Sequence, residues 1–136
     1  DMNIEERTKS LFTFTFSPAA TADATDTCVE TCAITTTSAD GNYRLEMQGD
    51  GNLVIYDKNS SFIWGTMTNG KGVGPYRLIM QGDGNLVIYD KNSSFIWGTM
   101  TNGKGVGPYR LIMQNDRNLV IYDKNNSFIW GTMTNV

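Results

Sequence analysis

Residues 43–75 read YRLEMQGDGNLVIYDKNSSFIWGTMTNGKGVGP, and residues 76–108 repeat them with one change, Ile79 in place of Glu46. Residues 109–136 repeat them again, with Asn115, Arg117 and Asn126 where the second copy has Gly82, Gly84 and Ser93, and with Val136 last. The units start at residues 43, 76 and 109, a period of 33. A helical ankyrin array has that period too, but these units are rich in Ile, Val, Tyr, Phe, Trp and Thr and punctuated by Gly and Asn. That is strand and turn chemistry.

Each unit reads as three strands: YRLIMQ (YRLEMQ in the first copy), NLVIYD and FIWGTM. The first two flank Gly-Asp-Gly, a hairpin turn between apolar stretches. The polar turn KNSS joins the second to the third, and the Gly-rich NGKGVGP carries the chain onward. Strand two alternates, with Leu53 and Ile55 on one face and Asn52, Val54 and Tyr56 on the other. The inward pair recurs as Leu86 and Ile88, then Leu119 and Ile121. One such sheet cannot bury its own apolar face, so three are expected to close around a shared axis in an all-β domain. Trp64, Trp97 and Trp130 are the bulkiest inward candidates and are expected to meet near that axis.

Residues 1–42 fall outside the repeat. The stretch SLFTFTFS sets Phe12, Phe14 and Phe16 on one face and Thr13 and Thr15 on the other, an amphipathic strand. A Thr/Ala/Asp-rich tract with Cys28 and Cys32 follows. This segment is too short for a core of its own, so the division expected is an N-terminal extension, 1–40, and a repeat domain, 41–136, built of 43–75, 76–108 and 109–136. The Phe face should pack on the repeat body or on a neighbouring molecule, the body being favoured.

Composition narrows the function. The chain of 136 residues is 40 % hydrophobic with a net charge of −3 and a pI near 4.8, which offers no basic face to nucleic acid or anionic lipid. No apolar run approaches the roughly 20 residues of a membrane span. No signal peptide opens the chain; an initial Asp is what a processed mature protein would show, and equally what an excised piece would. There is no histidine, which removes Ser-His-Asp and Cys-His catalysis and most zinc sites. No second, unpaired carboxylate stands beside the repeated Asp50 and Asp57 to make a glycosidase pair. No enzyme, metal or cofactor is therefore expected. Cys28 and Cys32 fit an intrachain disulfide, free thiols or intermolecular bridges; the extracellular character of the rest favours the oxidised pair.

One constellation recurs in all three units: Gln48, Asp50, Asn52, Val54 and Tyr56; Gln81, Asp83, Asn85, Val87 and Tyr89; Gln114, Asp116, Asn118, Val120 and Tyr122. Each hairpin gathers two amides, a carboxylate and a phenol around one apolar side chain. That set suits a neutral polyol, whose adjacent hydroxyls both donate and accept. The same residues are also ordinary turn and strand formers, so the grouping alone does not decide. On this reading Asn85→Ala and Asp83→Ala weaken one site while the fold persists. Asn59, Asn92 and Asn125 each open an N-x-Ser sequon in the turn after strand two, candidate N-glycosylation sites that double as plain turn formers.

The pattern Q-x-D-x-N-x-V-x-Y, standing here as QGDGNLVIY twice and QNDRNLVIY once, resembles the signature of the monocot mannose-binding lectin family, the bulb-type or snowdrop-lectin-like domain. The resemblance covers residues 41–136. It implies a β-prism II fold, three four-stranded antiparallel sheets about a pseudo-threefold axis, and mannose binding without a metal. By the same resemblance Asp50 and Asn52 would hold the axial O2 hydroxyl, Gln48 the O3 and Tyr56 the O4, with Val54 against the ring, and likewise in the other repeats. The implied partners are mannose-containing glycans or glycoproteins, with a homo-oligomer (dimer or larger) in a secreted, multivalent protein. A competing reading is an extracellular self-assembling filament protein in which the N-terminal strand inserts into a neighbour's sheet.

Departures from the family pattern are clear. Gly51 stands where many members carry a cysteine, and Cys28 and Cys32 have no counterpart. The extension is longer than usual. Three strands per unit leave each sheet one short, to be supplied by N-terminal strands, linkers or an exchanged strand. Arg117 replaces a turn glycine, which disfavours positive φ there.

Overall fold

The computed structural model describes residues 14–15 and 33–136, with side chains from residue 36 onward. Each repeat forms one antiparallel three-stranded unit. The first is β3 (Tyr43–Met47), β4 (Leu53–Asp57) and β5 (Phe62–Gly65); the second is β6 (Arg77–Met80), β7 (Leu86–Tyr89) and β8 (Phe95–Gly98); the third is β9 (Arg110–Met113), β10 (Leu119–Tyr122) and β11 (Phe128–Gly131). Alternation drives this arrangement. Leu45 and Met47 of β3 with Leu53 and Ile55 of β4 turn inward, and with their copies they make a single core in which all are essentially inaccessible. Each such side chain contributes about 1.5–3 kcal/mol by leaving water. Trp64, Trp97 and Trp130 meet edge to face, with ring centroids 6.0–6.1 Å apart and interplanar angles of 68–71°. The expected three-sheet, β-prism II architecture is the one observed.

Two elements precede the repeats: β1 (Phe14–Thr15) and β2 (Ala33–Thr35). β1 lies beside β6 and β2 beside β9, both parallel. The second and third sheets thus reach four strands, while the first has three, β3-β4-β5. The added strands run parallel, unlike the antiparallel fourth strand that the resemblance implies. Just after β2 the chain changes partner. Thr36 O accepts from Leu45 N at 2.7 Å, and Ser38 N donates to Tyr43 O at 2.9 Å. Residues 33–38 therefore tie the third repeat's sheet to the first's. Phe12, Phe16, Cys28 and Cys32 lie outside the described residues.

The third strand of each unit is shorter than the expected FIWGTM. β5 stops at Gly65 because Met67 turns to φ 58, as Met100 (57) and Met133 (58) do in the other copies. The N–H of Met67 donates to the Asn52 side-chain oxygen at 2.8 Å and that of Thr68 at 3.4 Å. The chain curls around an amide instead of extending a ladder.

Candidate functional site

The five repeated residues gather on the outer face of each hairpin. Gln48 ends the first strand, and its N–H bonds to Asn52 O at 2.9 Å, closing the hairpin. Asp50 occupies the turn, where its Oδ1 accepts from Asn52 N at 3.0 Å, an Asx turn. Its backbone oxygen is held by the linker, from Gly70 N at 2.9 Å; Gly103 and Val136 do the same for Asp83 and Asp116. The Gln48 amide donates to the Tyr56 hydroxyl at 2.6 Å, Gln81 to Tyr89 at 2.7 Å and Gln114 to Tyr122 at 2.6 Å. Val54, Val87 and Val120 sit between these groups but are only 1 % exposed. They form a floor under the polar set and offer little open surface to a ring.

Asn52 is the most constrained member. Its Oδ1 accepts from the Thr66 hydroxyl as well as from Met67 and Thr68 N–H; Asn118 is held the same way, and Asn85 accepts from the Thr99 hydroxyl and Thr101 N–H. Its oxygen is thus committed to the fold. Its Nδ2 takes no hydrogen-bond partner among the described residues in any of the three copies, although each Asn is buried or nearly so. Asn85→Ala would also leave the Thr101 N–H and the Thr99 hydroxyl without this acceptor, a cost in stability beside the expected loss at the site.

A cation that sequence reasoning missed completes each site. The Arg44 guanidinium lies 4.9 Å from the Tyr56 ring centroid, Arg77 5.3 Å from Tyr89 and Arg110 5.2 Å from Tyr122. Arg44 pairs with Tyr56 across the hairpin, so once the turn was read the register alone could have found it. Arg44 also bonds Asp57 O at 3.1 Å, which holds it against the ring. The first site differs from the others by Glu46, a buried carboxylate 2.7 Å from Arg44 Nε; Ile79 and Ile112 occupy that place elsewhere.

Arg117 overturns a further expectation. It adopts φ 80, close to the turn of Gly51 (97) and Gly84 (96). A Cβ on Gly51 would stand 3.0 Å from the Tyr76 ring and one on Gly84 2.9 Å from Tyr109. Arg117 instead anchors on its own repeat, donating from Nε to Thr134 O at 2.9 Å while the Thr134 hydroxyl bonds Arg117 O at 2.5 Å. All three turns therefore share one shape. The sequon residues Asn59, Asn92 and Asn125 lie on exposed turns, each N–H bonded to the preceding Asp carboxylate. Among the described residues no cluster of acids, Cys or His could hold a metal ion.

No protein-family model matches the chain, and a search of curated proteins finds no relative. Solved structures do match. A monomeric monocot mannose-binding lectin from Gastrodia elata is 50 % identical, with 72 % of this chain aligned to 86 % of that one at a TM-score of 0.65. The chain belongs to the monocot mannose-binding, bulb-type lectin family. The mannose-specific agglutinin of snowdrop (Galanthus nivalis), solved with methyl-α-D-mannoside, is 42 % identical over 71 % of this chain and 83 % of its own, with a TM-score of 0.56. A Marasmius oreades lectin is 35 % identical over 72 % and 78 %, at 0.62. Membership in this lectin family makes the protein a non-catalytic binder.

Proposed function

We propose that the chain is a mannose-binding lectin with three metal-independent sites, formed by Gln48, Asp50, Asn52, Val54 and Tyr56 and by their copies in the other repeats. The observation that carries this is the Asn Nδ2, present three times on the outer face without a hydrogen-bond partner among the described residues, beside an Asp carboxylate and a Gln–Tyr pair. A sugar hydroxyl accepting from Nδ2 and donating to Asp50 would satisfy both. The snowdrop agglutinin complexed with a mannoside and the Polygonatum cyrtonema lectin complexed with monomannoside support mannose as the ligand. Four hydrogen bonds at about 1 kcal/mol each put one site near millimolar affinity.

The triple variant Asn52→Asp, Asn85→Asp, Asn118→Asp tests it. Asp keeps the oxygen that caps Met67 and Thr68 but removes the donor. Urea unfolding should stay close to wild type while calorimetric affinity for methyl α-mannoside falls at least about tenfold; unchanged affinity would reject these sites. Homo-oligomerisation belongs to the same proposal, since β5, β8 and β11 each end their sheet beside exposed Met67, Met100 and Met133. Sedimentation at micromolar concentration checks it, and a monomer mass would refute it. A secreted, glycosylated form is supported by the sequons on exposed turns, and intact mass after expression in a secretory host decides that point.

A further inference from the structure

We propose that Phe62, Phe95 and Phe128 form an aromatic platform beside each mannose pocket, a subsite for the next pyranose ring of the bound glycan. The inference rests on the site assignment above and extends it. Phe62 pairs with Tyr56, Phe95 with Tyr89 and Phe128 with Tyr122 across their hairpins. A β-bulge just before each pair interrupts the alternation, and the ring's closeness to a Cβ built on Gly65, Gly98 or Gly131 places each Phe on the face that carries the site. Gly65, Gly98 and Gly131 lie opposite Val54, Val87 and Val120, the floor of each pocket.

The ring folds over that glycine. A Cβ on Gly65 would stand 3.0 Å from Phe62 Cε2 and 3.5 Å from Asn52 Nδ2; on Gly131 the distances are 3.0 Å to Phe128 and 3.4 Å to Asn118 Nδ2. The absent methyl lets ring and amide nitrogen converge on one point. Yet the Phe side is not buried, since the three residues are 50, 51 and 49 % exposed. An apolar ring half in water, touching a polar pocket, matches the two-sided character of a saccharide, with hydroxyls for the pocket and a C–H face for the ring. A second protein laid on these rings would cover the Asn amides as well. A glycan already held at the pocket reaches the ring without blocking it.

The test compares methyl α-mannoside with the α1,2-, α1,3- and α1,6-linked mannobioses by calorimetry, on the full chain and on the variant Phe62→Ala, Phe95→Ala, Phe128→Ala. Wild type should bind at least one mannobiose about 3- to 10-fold tighter than the monosaccharide. In the Ala variant that ratio should fall to near one, with methyl α-mannoside affinity held within about twofold. Phe→Tyr at the same three positions should keep the ratio. A wild-type ratio of one for every linkage overturns the platform while leaving the mannose site standing. Equal loss of both ligands in the Ala variant overturns it too, because the rings would then serve the first pocket or the fold. A change in sedimenting mass marks them as a contact between copies, against the proposal. Flat wild-type titrations with all four sugars remove the site itself and the platform with it.

Discussion

Asn52, Asn85 and Asn118 perform two duties through the two ends of one amide. The oxygen ends the third strand by capping Met and Thr N–H groups, and the nitrogen is left to the outside. Asn85→Ala should therefore cost about 1–3 kcal/mol of stability, because buried donors lose their acceptor; urea denaturation measures it, and a cost near zero would show that water replaces the oxygen. The side chain's place on the outer face was readable from alternation with Leu86 and Ile88. Its duty in the fold was not, since the capped residues lie 15 and 16 positions onward in a segment that reads as strand. Arg117 was misjudged for a related reason. Propensity disfavours positive φ for any side chain, but the Thr134 contacts outweigh it and are invisible along the sequence.

The linkers between repeats are fastened to the strands that follow them. Asp90 accepts from Val73 N–H at 3.0 Å and Asp123 from Val106 N–H at 3.0 Å, while Lys91 and Lys124 N–H bond back to the same linker residues at 2.9 Å. The N–H of Ser94, then that of Val73, holds the Asp90 carboxyl below the ordinary carboxylate range; Ser127 and Val106 do so for Asp123. A lowered folded pKa means stability that is fully present above about pH 4 and drains away as pH falls through the folded value. Melting temperature should accordingly drop below about pH 4, and the variant Asp90→Asn, Asp123→Asn should show a shallower drop; matching slopes would discount these clasps. The hairpins themselves were legible because Gly-Asp-Gly and period-two alternation are local signals. The partners of β1 and β2 were not. Two- and three-residue strands carry no register of their own, and parallel pairing joins segments far apart in the chain.

At the level of the molecule, one core and one ring cluster join three units that could not stand alone. Each Trp touches both others, so the cluster should behave as a unit. Trp97→Ala is expected to cost about 3–5 kcal/mol. Adding Trp130→Ala should cost less than the second substitution does alone, because the contact it removes is already broken. A double-mutant cycle in urea measures the coupling, and simple additivity would mean the rings are merely neighbours.

The outward aim of the three hairpin faces has a consequence for avidity. Because the sheets back onto one axis, neighbouring pockets look away from each other, and a short sugar chain that enters one is turned from the next. Effective concentration therefore gains little on a lone small glycan. On the proposed site assignment, three weak grips pointing apart suit bridging: cells, particles or glycoproteins with dense mannose coats would be drawn into a mesh, while dilute free sugar would be let go almost as fast as it arrives.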